Sequence, residues 1–172
     1  IGRLVGSEMC IRDSYEAATG ICQTFTLQYR PLEDPVDAFE NVAVIGFSGE
    51  WIRGTIGIAA AEEVIDATFG AHDGPISALM RLDSLGEMVN QLMGRLKNQL
   101  YRQGVDVTIA TPLAFRGLKI TVGGTLQETF LRWDFSTPQG SIVAWLDCYS
   151  EPELVFEERD EEVSEEGSLL FF

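Results

Sequence analysis

Two side chains suited to placing a water molecule stand three residues apart near the middle of the chain. Glu87 is an acid and Asn90 is a carboxamide, and residues three apart lie side by side on a helix. A carboxamide can orient water through hydrogen bonds, and catalysis of phosphoryl transfer consists mostly of placing an in-line nucleophile. The same pair is also typical of the wet face of any amphipathic helix, so the two residues alone leave both interpretations open.

The segment that must position this pair is predicted to be one amphipathic helix over Asp83–Tyr101. Apolar residues recur at spacings of three and four and predict a buried stripe: Leu85, Val89, Leu92, Leu96 and Leu100. The opposite face carries Asp83, Glu87, Asn90, Gly94 and Asn98. Gly86 and Gly94 each cost about 1 kcal/mol relative to alanine inside a helix, which suggests that something approaches this face closely.

The remaining pattern predicts an α+β domain in which helices pack on one face of a largely antiparallel sheet. The predicted helices are Tyr15–Phe25 and Ala60–Phe69, the second of which is followed by Gly70. The predicted strands are Leu27–Pro31, Val42–Phe47, Trp51–Ala59, Val105–Ala110, Gly117–Val122, Leu126–Phe135 and Ser141–Tyr149. Gly104 is predicted to mark the end of the long helix.

Both ends of the chain differ in composition from its middle. Residues 1–14 contain GSEMCIRD, which resembles the translation of a sequencing-library adapter, and we expect this segment to be non-native. Residues 151–172 contain nine acids and one base and are predicted to be a disordered acidic tail. The predicted domain is therefore residues 15–150.

Charge and composition exclude several classes of function. A net charge of −15 argues against general binding to nucleic acid or to an anionic membrane. Because no apolar run reaches the ~18 residues that a membrane span requires, we expect a soluble cytoplasmic protein. The single histidine, His72, excludes a histidine-based triad or a multi-histidine metal site within one chain, and the three cysteines show no metal-binding spacing.

Other candidate residues have simpler interpretations. His72 and Asp73 lie in a Gly- and Pro-containing loop, where a lone histidine is usually a surface residue. Ser48 falls in an incomplete G-x-S-x-G pattern that no helix follows, so it is not predicted to be a nucleophile. Core positions are expected for two cysteines and for tryptophans on predicted strands: Cys22, Cys148, Trp51, Trp133 and Trp145.

Asp83–Gly94 resembles the D-x-x-G-E-x-x-N-x-x-x-G signature helix of the CheC/CheX/FliY phosphatases of bacterial chemotaxis. Val44–Gly49 followed by Gly54–Ile56 is similar to the G-h-S-G … G-T hairpin of the same family. The resemblance covers about Phe39–Val122. It is closest to CheX, because the chain shows a single E-x-x-N helix and Thr19 stands where a second asparagine would follow Glu16.

This resemblance implies dephosphorylation of the aspartyl-phosphate of a CheY-like response regulator. Asn90 would orient the attacking water, Glu87 would pair with the receiver's lysine, and Asp83, Gly86 and Gly94 would line the approach. The resemblance also implies a homodimer, and a Mg²⁺ ion supplied by the receiver, with no metal of this chain's own. Two alternatives remain open: a non-catalytic CheX-like module that binds a receiver or a signalling scaffold, and a structural component of the flagellar switch.

Overall fold

A computed structural model describes residues 28–31, 39–69, 74–122 and 129–157. The strands are β1 (Gln28–Pro31), β2 (Phe39–Ser48), β3 (Ile52–Ala60), β4 (Thr108–Ile109), β5 (Leu113–Ile120), β6 (Thr129–Thr137) and β7 (Gly140–Ser150). The helices within these ranges are α1 (Glu62–Phe69) and α2 (Ala78–Arg102). Predictions for residues 1–27, including the adapter-like segment and the helix over Tyr15–Phe25, lie outside the described residues.

The seven described strands form one antiparallel sheet in the order β1-β6-β7-β3-β2, with β4 and β5 both pairing with β2. The hairpin β2–β3 pairs Ser48 with Arg53 and continues to Asn41 and Ala60. Strand β7 then pairs with β3 from Ser150 to Ile142. The middle of the sheet is therefore β7-β3-β2, and the predicted α+β architecture with a largely antiparallel sheet is confirmed.

Helix α2 begins and ends at recognisable caps. The Ser77 hydroxyl accepts a hydrogen bond from the Met80 backbone N–H at 3.2 Å, as an N-cap residue does. At the other end Gly104 has a φ of +81°, and its N–H donates to Tyr101 O at 3.0 Å, while Val105 N–H donates to Leu100 O at 2.9 Å. These bonds make a Schellman motif, which confirms Gly104 as the predicted stop.

Both described helices cover the same face of the sheet, as predicted. Val64 and Ile65 of α1 and the apolar stripe of α2 join one core with Ile45, Ile56 and Leu146 of the central strands. A second, smaller cluster lies on the opposite face and contains Phe39, Val42, Ala59, Val143 and Trp145. The central strands are consequently buried on both faces.

Strand β2 begins at Phe39, three residues before the predicted Val42, and two other strand predictions were further from the observed extent. Only Thr108–Ile109 of the predicted strand Val105–Ala110 forms a strand beside β2, and Ala110 N–H adds one hydrogen bond to Gly46 O at 2.9 Å. Val105 and Val107 instead turn into the core as they leave the helix cap. The next strand is β5, Leu113–Ile120, rather than Gly117–Val122. It begins directly after Pro112, and its pairing with β2 fixes its position more strongly than its own alternation does.

The packed domain extends further into the acidic segment than predicted. Residues 151–157 belong to the segment predicted to be disordered, but Leu154 and Phe156 pack against the main core. The Glu157 N–H also donates to Gln103 O at 2.8 Å, beside the end of α2. Two apolar side chains among the acids bury enough surface to hold this stretch in place, and residues 158–172 lie outside the described part.

Candidate active site

Helix α2 separates its buried and exposed faces as the periodicity predicts. The predicted stripe Leu85, Val89, Leu92, Leu96 and Leu100 is buried throughout, together with Met88 and Met93. Asp83, Glu87 and Asn90 are exposed. The acid and the carboxamide therefore project from a rigid element whose other side is fixed by the core, which suits groups that must hold a defined position.

Glu87 has one hydrogen-bond partner that the sequence analysis missed. Gln91 Nε2 donates to Glu87 Oε1 at 2.9 Å, across one turn of the exposed face. Residues four apart on a helix are neighbours, so the spacing could have revealed this pair. The contact leaves the second carboxylate oxygen of Glu87 available to a partner's donor.

The two glycines of the signature lie beside open space. A methyl group added at Gly86 or Gly94 would meet nothing within 4 Å outside the local helix. Neither glycine is therefore required by packing within this chain, although each weakens the helix relative to alanine. Their positions next to Glu87 and Asn90 leave room for another molecule's surface to reach the helix backbone.

Arg81, nearly two turns before Glu87, ties α2 to α1. Its guanidinium donates two hydrogen bonds to the Asp66 carboxylate, both at 2.6 Å, and lies 3.3 Å from Glu62. Glu62 also pairs with Arg116 of β5. The hydrogen bonds from Arg81 hold the pKa of Asp66 below its ordinary value, outweighing the partial burial that acts in the opposite direction.

The helix begins earlier than predicted, at Ala78 instead of Asp83. The missed first turns carry Leu79 and Met80, whose exposed fractions are 68% and 41%. Ser77 was the available signal, because a serine before a run of good helix formers is a typical N-cap. The exposed face of α2 is therefore longer than the sequence analysis indicated, and its first part is apolar.

The other candidate residues have the following positions. Ser48 ends β2 and is followed by β3, so it is not on a strand-to-helix turn. Cys148, Trp133 and Trp145 are buried, as predicted. Trp51 was predicted to pack on a strand, but it lies at the bend between β2 and β3 and is 40% exposed. His72, Asp73 and Cys22 lie outside the described residues.

Neither a metal centre nor a membrane-spanning helix is found among the described residues. Across the described ranges, no three His, Cys, Asp or Glu side chains are grouped so as to hold a metal ion. In the same ranges, neither helix is long and apolar enough to cross a bilayer.

Solved structures of similar fold come from several bacteria. Chemotaxis protein CheX from Vibrio vulnificus superposes with a TM-score of 0.67 at 21% identity, over 81% of this chain and 96% of that one. A CheC-like superfamily protein from Shewanella sp. PV-4 superposes with a TM-score of 0.68 at 20% identity, over 83% of this chain and 98% of that one. CheX in a CheX–CheY–BeF₃–Mg²⁺ complex from Borrelia burgdorferi gives 0.64 at 19% identity, over 80% and 96%. These likenesses support the fold.

The sequence itself identifies the family. The comparison with curated proteins found no match to the chain. Residues 41–136, more than half of the chain, match the family described as "Chemotaxis phosphatase CheX". This range contains β2 except its first two residues, all of β3, both described helices and the signature segment with Glu87 and Asn90. The chain belongs to the CheX family of chemotaxis phosphatases.

Proposed function

We propose that this chain hydrolyses the aspartyl-phosphate of a CheY-like receiver domain by inserting Asn90 of α2 into the receiver's active site. The observation that carries the proposal is the exposure of Glu87 and Asn90 on one face of a rigid helix, beside space left open at Gly86 and Gly94. Membership of the CheX family supports a phosphatase. The Borrelia burgdorferi CheX–CheY complex supports a CheY-like partner.

In this proposal the carboxamide of Asn90 places the water. Its Oδ1 accepts a hydrogen bond from the water, and its Nδ2–H can donate to a phosphoryl oxygen or to the water itself. The water oxygen then attacks phosphorus in line with the bond to the receiver's aspartate. The P–O bond to that aspartate breaks, its carboxylate is regenerated, and inorganic phosphate leaves with the water's protons. Asn90 needs no change of protonation state, since its contribution is placement.

The proposed role of Glu87 is to dock the receiver by pairing with its lysine amine. Gln91 holds one carboxylate oxygen, and the other is free to accept from the amine. A Mg²⁺ ion bound by the receiver would neutralise charge on the phosphoryl oxygens. Asp83 adds a second negative charge on the exposed face, one turn before Glu87.

The deciding experiment is the release of phosphate from a phosphorylated cognate CheY-like receiver. The parent chain is expected to accelerate dephosphorylation, and Asn90→Ala is expected to lower kcat by about 10²-fold, the order of loss that follows from losing a placing group. Asn98→Ala is the matched control, because Asn98 lies two turns further along the same helix. An Asn90→Ala variant as fast as the parent would exclude the proposed mechanism.

The same experiment distinguishes the non-catalytic alternative. A binding module would bind the phosphorylated receiver, would not shorten the lifetime of the phosphoryl group, and would keep its affinity in Asn90→Ala. The proposed phosphatase instead loses turnover in this variant and retains binding, because Glu87 and the helix face are unchanged.

A further inference from the structure

The first turn of α2 carries two large apolar side chains that are exposed to solvent. Leu79 is 68% exposed and Met80 is 41% exposed. We call Leu79 and Met80 the apolar pair. Neither belongs to either hydrophobic cluster of the described residues. Packing among the described residues therefore gives no reason for apolar side chains at these two positions.

The apolar pair is aligned with the residues proposed to act on the receiver. At 100° per residue, Leu79 and Asn90 differ by about 20° around the helix axis, and so do Met80 and Glu87. All four side chains therefore lie on one continuous exposed face. This face begins with the apolar pair, continues with the acids Asp83 and Glu87, and ends with the carboxamide of Asn90.

The distance along the helix fits the size of a protein contact. Leu79 lies eleven residues before Asn90, which is about 16 Å at a rise of 1.5 Å per residue. A typical interface covers about 800 Å² on each partner, equivalent to a disc with a radius of about 16 Å. A receiver centred on Asn90 would reach Leu79 at its edge, and one centred on Glu87 would cover both members of the pair.

We propose that the apolar pair is a docking contact for an apolar patch on the receiver, adjacent to its phosphorylation site, and that it sets affinity and partner choice without acting in the chemical step. This inference rests on the proposed function. Burial of Leu79 supplies binding free energy that is the same in the ground state and in the transition state. Met80 is flexible and can adapt to the partner's surface. Glu87 and Asn90 then supply orientation and chemistry.

The test has two measurements on a cognate CheY-like receiver. Calorimetry gives the Kd of the complex between this chain and the receiver loaded with beryllofluoride and Mg²⁺. Steady-state phosphate release from the phosphorylated receiver gives kcat and KM. Leu79→Ala is expected to raise the Kd and the KM by about five- to tenfold and to leave kcat within twofold of the parent. Leu79→Met, which keeps apolar volume, is expected to restore most of the affinity. Because Leu79 is exposed, both variants are expected to fold.

The matched control is Leu113→Ala. Leu113 is 62% exposed, and it precedes Ala114, which packs against the helix-covered core, so it points to the opposite face of the sheet. This variant is expected to bind like the parent.

If the parent binds and hydrolyses while Leu79→Ala keeps the parent's Kd and KM, the docking role is wrong and the proposed function stands. If the parent binds without hydrolysis, the phosphatase proposal fails, and a weaker Kd for Leu79→Ala still supports the docking contact. Absence of binding by the parent would overturn both.

Discussion

The Glu87 carboxylate is exposed and is held by Gln91 before any partner arrives. Restricting the side chain in advance would reduce the conformational entropy lost in the proposed pairing with a receiver's amine. An ion pair in water contributes only about 0–1 kcal/mol, but the contribution grows as docking excludes water. Charge on this face also speeds encounter with a cationic group. Glu87 is therefore expected to act on association and affinity, and Asn90 on turnover.

Glu87→Gln tests this division of roles. The isosteric amide keeps an acceptor for Gln91 but removes the charge, so affinity for the phosphorylated receiver is expected to fall by up to about fivefold at low salt. The loss is expected to shrink at 0.5 M salt, where surface charges are screened. Calorimetric titration at two salt concentrations measures it, with Glu50→Gln in the exposed β2–β3 turn as control. Equal Kd values for Glu87→Gln and the parent at low salt would contradict the docking role.

The periodicity of apolar residues was sufficient to predict which face of helix α2 is buried, but it was insufficient to predict where the helix begins. The apolar stripe is a local property of the sequence, so every predicted member is buried. The start of the helix depends on the Ser77 cap, which the spacing of the apolar residues does not report. Strand β5 could not be placed correctly because its position depends on pairing with β2, some seventy residues earlier. Such pairing leaves little trace in a single sequence.

Gly86 and Gly94 are expected to lower the stability of α2 and to allow a partner to approach its backbone. Gly86→Ala and Gly94→Ala add a methyl group into open space, so each is expected to raise the free energy of unfolding by about 1 kcal/mol. The same methyl groups would stand between the helix and a docked receiver, so weaker binding is expected. Urea unfolding and receiver titration on the same proteins measure both effects. Unchanged affinity in both variants would show that nothing approaches the backbone there.

The link between α1 and α2 predicts a pH dependence of stability. Because Arg81 lowers the pKa of Asp66 in the folded state, the contribution of Asp66 is present above its unfolded pKa of about 3.9 and is lost as the pH falls through the lower folded value. Asp66→Asn is thus expected to be less stable than the parent at pH 7, by about 1 kcal/mol or less, since solvent screens a side chain that is 37% exposed. The difference should close at acidic pH. Urea unfolding of both proteins across pH 2–7 measures it, and a gap that stays constant would exclude the charge as its cause.

Packing between distant strands explains why glycine is required at Gly54 and Gly57, which the sequence did not show. The resemblance to the family hairpin located Gly54, but the reason lies in β7, where an added methyl group would overlap the backbone at Asp147 and Cys148. Gly57 lies opposite Trp145, and an added methyl group there would overlap the indole ring. The residues concerned are about ninety positions apart in the chain. The sequence therefore predicted the hairpin and an antiparallel sheet with helices on one face, and only the assembled sheet shows which side chains require the glycines.

Gly57→Ala tests this close contact between distant strands. Trp145 is buried in the second apolar cluster, so it has little room to move, and overpacking is expected to cost about 1–3 kcal/mol of stability. Gly46→Ala in β2 is the matched control, because its nearest neighbours would lie 3.8 Å from the added methyl group. That variant is expected to be as stable as the parent or slightly more stable.

A double-mutant cycle completes the test of Gly57. Trp145→Leu removes the ring, so Gly57→Ala should cost less in that background than in the parent, with a coupling free energy of at least about 0.5 kcal/mol. Urea unfolding of the four proteins measures the cycle. Additive losses would show that the indole ring is not what requires glycine at this position. A coupling free energy of the expected size would show that β3 and β7 pack directly against one another on the face opposite the helices. Helix α2 and its site lie on the other face of these same strands.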